Sequence, residues 1–116
     1  MTIPQSNHPS PPPWEAQRTA ETRYVEEVLR KHFRQVDAYR YNTASIRVRV
    51  IDPCFAGLST NDRITLLEKH LNTLPLKTQR DIVRVFTIAE DAREAKYNVL
   101  QNIAFEDSGD ARLQGS

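Results

Sequence analysis

The sequence predicts an α+β fold: a two-layer sandwich in which helices cover one face of a three-stranded mixed sheet, in the order αββααβ, followed by a C-terminal helix or extension. Three observations carry this expectation. Ile46, Val48 and Val50 alternate with Arg47 and Arg49, the period of a half-buried strand rich in β-branched residues. Residues 82–88 form a second β-branched run. Before and between these runs, apolar residues recur at helical spacing. A chain of 116 residues holds one such domain, large enough for a core but not for two.

Residues 1–18 contain five of the seven prolines and no apolar periodicity, which predicts a proline-rich, disordered N-terminal tail with Trp14 as its anchor on the domain. The domain itself is expected over 19–106, with a frayed C-terminus at 107–116. Thr19 suits the N-cap of a first helix with Glu21 in its first turn. Val25, Val28, Leu29, His32, Phe33 and Val36 make its buried stripe.

A hairpin follows over 39–50. A tight loop at Thr43 and Ala44 would pair Tyr41 with Ile46, Tyr39 with Val48 and Arg40 with Arg47. That register puts Tyr39, Tyr41, Ile46, Val48 and Val50 on the core face and Arg40, Arg47 and Arg49 on the other. Pro53 stops the second strand and Gly57 permits a turn. Ser59, with Asp62 three residues on, is an acidic capping box for a second helix, whose seam is Ile64, Leu67, Leu71 and Leu74. Pro75 suits the first turn of a short third helix. In the third strand Val83 and Val85 are expected inward, with Arg84, Phe86 and Ile88 beside the arginines. The long connection from the second strand permits a crossover that makes the third parallel to its partner. Residues 90–100 have helical propensity, with Ala92, Ala95, Val99 and Leu100 on the packed side, and residues 102–106 suit helix or extension equally.

This order, with Phe55, Gly57 and Ser59 leading into Arg63, Leu66 and Leu67, resembles the BolA family over residues 24–91. The resemblance implies a type II KH-like αββααβ fold, work alongside monothiol glutaredoxins, and an iron–sulfur cluster held by a histidine near the third strand. The corresponding stretch here, residues 79–83, contains no histidine, and residues 74–77 contain no glycine for the GXXG loop of RNA-binding KH domains. Residues 39–58 are also similar to small uncharacterised bacterial proteins.

Composition bounds the chemistry. With 39% hydrophobic and 27% charged residues the chain reads as an ordinary soluble protein; it offers no run of membrane-span length and no basic-plus-apolar leader, so a cytoplasmic location and no membrane partner are expected. Cys54 is the sole cysteine, which rules out an internal disulfide and fits a reducing compartment. His32, His70 and Cys54 lack metal-ligand spacing, and no phosphate loop or nucleophile motif occurs. No cofactor, metal or catalytic residue is therefore expected, and the chain is read as non-enzymatic.

Charge gives the one functional signal. Residues 30–84 hold 11 Lys/Arg against 5 Asp/Glu, whereas residues 90–116 hold 3 against 6. Like charges side by side on a sheet want an anion, which makes Arg40, Arg47, Arg49 and Arg84 the candidate anion- or partner-binding residues. The reading is a small binding or regulatory module whose arginine-rich face meets an acidic protein surface, a second copy of the chain, or its own acidic C-terminal segment (Glu90, Asp91, Glu94, Glu106, Asp107). The alternatives are a KH-like nucleic-acid binder lacking GXXG and an enzyme whose site is scattered through the sequence.

Overall fold

A computed structural model describes residues 12–108. The proline-rich tail lies outside the described residues as far as residue 11, and the C-terminus from residue 109. The elements are α1 (Ala20–Arg30), β1 (Gln35–Asn42), β2 (Ser45–Ile51), α2 (Thr60–Leu71), α3 (Leu76–Asp81), β3 (Ile82–Ile88) and α4 (Ala95–Glu106), with 3₁₀ turns at Pro13–Gln17, Pro53–Phe55 and Ala92–Glu94. The sheet order is β1-β2-β3, with β2 antiparallel to β1 and parallel to β3. The described residues are thus α+β, with a three-stranded mixed sheet and four helices.

Local chemistry sets the helix starts. The Thr19 hydroxyl accepts from the Thr22 N–H, and the Thr22 hydroxyl accepts in return from the Thr19 N–H, satisfying two donors that a helix start leaves orphaned. Ser59 does the same for the Asp62 N–H. Gly57, at φ +78°, takes the left-handed conformation that turns the chain into α2. Pro75 stands at the cap position of α3 rather than inside it.

The hairpin register differs from the expected one. Ala38 faces Val48, Tyr39 faces Arg47 and Arg40 faces Ile46, with an irregularity between Arg40 and Asn42. The strand also begins at Gln35, so Val36, which fits the helical stripe equally well, belongs to β1. A one-residue slip exchanges the faces of a whole strand. Tyr39 and Tyr41 therefore share the face of Arg47 and Arg49, and Arg40 leaves it.

Each face of the sheet carries its own apolar cluster. Val36, Ala38, Ile46, Val48 and Val50 pack with Val25, Leu29, Phe33, Phe55, Leu67 and Leu74 from the α1 and α2 side. On the opposite face, Tyr39 and Phe86 pack with Trp14 and with Phe105 of α4. Helices on one face only was the expectation; α4 and the Trp14 turn instead make a further layer on the arginine face. Their aromatic cluster supplies the reason, since rings of this size must be covered from water. Trp14 is 3% exposed, so the Pro13–Gln17 turn, expected in the tail, packs as part of the domain ahead of Thr19. α4 continues to Glu106 as helix, and it buries Phe105 while Val99 and Leu100 face outward, the reverse of the side expected.

Candidate partner-binding arginines

Register separates Arg40 from the other three. On the α1 side of the sheet its guanidinium meets Glu21 and Asp81, each at 2.7 Å. These contacts join α1, β1 and the end of α3. The Thr78 hydroxyl, then Arg40, holds the Glu21 carboxyl below its ordinary range. Arg40 and then Lys77 do so for Asp81. Arg40 is thus a clamp between elements.

Arg49 is 8% exposed. It meets Asp37 of the neighbouring strand at 2.6 Å, donates to Asn102 Oδ1 of α4 at 2.9 Å, and lies 3.6 Å from Glu106. Asp37 also receives Arg18 at 3.2 Å. Arg18 in turn bonds Glu26 at 2.8 Å, whose carboxylate accepts the Ala38 N–H. Charges removed from water need this density of partners. Neither Asp37 nor Glu26 stood out in the sequence, where Glu26 reads as the water face of a helix and Asp37 follows its last apolar residue, Val36. Alternation of Val36, Asp37, Ala38 and Tyr39 was the available signal that a strand begins there.

Arg47 terminates α4. Its Nη1 donates to the carbonyls of Ala104 at 3.2 Å and Asp107 at 3.0 Å, and the Tyr39 hydroxyl donates to that of Phe105 at 2.6 Å. The last carbonyls of a helix lack intrahelical donors and carry partial negative charge, so a cation and a hydroxyl fit them. The guanidinium also lies 3.8 Å from the Tyr41 ring centroid, a cation–π contact.

Arg84 stands apart. It faces Arg47 across the β2–β3 pair and is exposed, with its guanidinium 4.8 Å from the Phe86 ring centroid. No carboxylate or carbonyl of the described residues meets it. The structure therefore does not assemble the four arginines into one cluster: three hold the fold together and one faces outward.

Other reactive groups do not converge. Partial burial and then Asp52 push the Cys54 thiol up to about 11, so it is a neutral thiol at physiological pH. His32 and His70 stack with centroids 3.8 Å apart; desolvation, then His32 and Lys69, lower the His70 pKa. Arg63 ties the start of α2 to β3 and to the turn before α4, donating to Leu58 O, Thr87 O and Glu94. Among the described residues no group of three His, Cys, Asp or Glu side chains could hold a metal ion, and no helix is long and apolar enough to cross a membrane. No family model, curated protein or solved structure matches this chain.

Proposed function

We propose that the chain is a small, non-enzymatic binding or regulatory module of BolA-like topology, which meets an acidic protein partner at Arg84. The observation that carries this reading is the sorting of the four arginines. Arg40, Arg47 and Arg49 have carboxylate or carbonyl partners within the chain, whereas the exposed Arg84 guanidinium has only the Phe86 ring beneath it among the described residues. A planar guanidinium resting on a ring is pre-positioned to fork onto a carboxylate. The αββααβ order supports the topological resemblance.

The test is affinity capture from the native cell lysate, with parent and Arg84→Glu chains, each with and without nuclease. A protein retained by the parent after nuclease treatment and lost by Arg84→Glu supports the reading. Capture abolished by nuclease favours the nucleic-acid alternative. Equal retention by both chains removes Arg84 from the interface.

A further inference from the structure

We propose that the partner adds to the sheet as an extended acidic strand along the outer edge of β3, its backbone pairing with Val83 and Val85 and a carboxylate meeting Arg84; this rests on the acidic-partner reading above. The two outer edges of the sheet are treated differently. At β1 one outward group on each of three alternate residues is already bonded: the Ala38 N–H to Glu26 at 2.9 Å, the Val36 carbonyl to Arg30 at 2.8 Å, and the Arg40 carbonyl to Gln17 at 2.9 Å. Side chains along that edge obstruct a further strand.

At β3 the inward and outward residues can be told apart. The Ile88 carbonyl bonds the Asp52 N–H beyond β2, and the Thr87 carbonyl is met by Arg63 at 3.2 Å. Main-chain groups alternate along a strand, so Ile88, Phe86 and Arg84 address β2 while Thr87 and Val85 address the outside. Val83 is the extra residue at the register shift between the Ile46↔Ile82 and Arg47↔Arg84 pairs and is 54% exposed. Among the described residues no side chain and no turn or loop backbone group bonds the N–H or carbonyl of Val83 or Val85. Among these residues the outer edge is met by a side chain at Thr87 and by none over the first half of β3.

Charge chooses the occupant. Arg84 lies within this stretch and exposed Arg80 just before it, while the nearest acid in sequence, Asp81, is engaged by Arg40 and Lys77. A second copy paired antiparallel edge to edge would bring two such arginine-bearing strands together, which like charge opposes. An extended segment with an acid opposite Arg84 satisfies both the backbone groups and the guanidinium, and is the strand-addition mode of peptide recognition.

The test is a titration of the isotope-labelled full chain with a short capped peptide of alternating glutamate and valine. The Val83 and Val85 amide signals are expected to shift saturably and their hydrogen exchange to slow. A lysine–valine peptide, and the glutamate peptide N-methylated at alternate residues, should bind roughly tenfold or more weakly, about 1.4 kcal/mol. Arg84→Glu should reverse the preference between glutamate and lysine peptides. Val85→Pro should abolish the protection by removing an outward donor, and the N-methylated peptide makes the same test without altering the fold. Binding that leaves Val83 and Val85 unprotected overturns strand addition while the acidic-partner reading stands. Absence of binding also overturns strand addition, and lysate capture then judges that reading separately. Self-association that protects these amides without peptide overturns it in favour of a second copy. Single-stranded RNA binding tighter than the peptide and lost in Arg84→Glu overturns both.

Discussion

Asp37 is the side chain on which the most charges depend. Arg49, Arg18 and the Gln35 amide all meet its carboxylate, so Asp37→Ala leaves a buried Arg49 without its strongest partner. Loss of one member of a buried pair costs about 3–5 kcal/mol, and chemical denaturation should show a fall of this size. His70 gives a pH dependence. Its folded pKa lies below the ordinary 6.5, so the unfolded chain takes up the proton first as pH falls. The stability this group contributes is full above about 6.5 and is lost as pH drops through the folded value. Replacing His70 by glutamine should flatten the stability profile across that window; an unchanged profile would show that the stacked imidazoles do not contribute to it.

At the scale of elements, α4 is the piece that converts a sheet with one covered face into a sheet covered on both. Phe105 is fully buried and its ring lies 5.0 Å from Trp14, 5.0 Å from Tyr39 and 5.8 Å from Phe86. Phe105→Ala should therefore cost about 3–5 kcal/mol, read from thermal or chemical melts. Arg47→Gln should cost on the order of 1 kcal/mol, the worth of its carbonyl bonds. That loss should not add to the loss from Phe105→Ala if undocking of α4 has already broken the bonds, because both act through the same helix. Additive losses would separate Arg47 from the docking of α4. The helix starts at Thr19 and Ser59 were legible in the sequence because a cap is a contact over three residues. The β1 start was not, since Val36 satisfies the helical and the strand period alike. The hairpin faces were misread because an irregularity near Tyr41 shifts the register by one residue. The packed side of α4 was hidden for a related reason: Val99, Leu100 and Ile103 are apolar yet exposed, and only the distant partners of Phe105 reveal which side is buried.

For the whole molecule, an α+β domain with a mixed sheet was readable from strand runs, helical spacing and the length of the crossover. Cover of the arginine face by the chain's own C-terminal segment was among the readings, and α4 supplies it; its aromatic character was not legible, because Trp14 and Phe105 meet from opposite ends of the sequence. The arginine excess was visible in the sequence, but the expected conflict of Arg40 opposite Arg47 does not form, and composition could not say which arginines the fold consumes. Three of the four are answered internally, by Glu21 and Asp81, by Asp37, and by the end of α4. Arg84 is therefore expected to be dispensable for the fold. The most direct measurement compares the melting temperatures of the Arg40→Gln, Arg47→Gln, Arg49→Gln and Arg84→Gln chains under one buffer. The expected result is a lower melting temperature for the first three, largest for Arg49→Gln, with Arg84→Gln melting like the parent. A drop for Arg84→Gln as large as that for Arg49→Gln would contradict the account, because Arg84 would then be a structural residue with no free head to offer a partner.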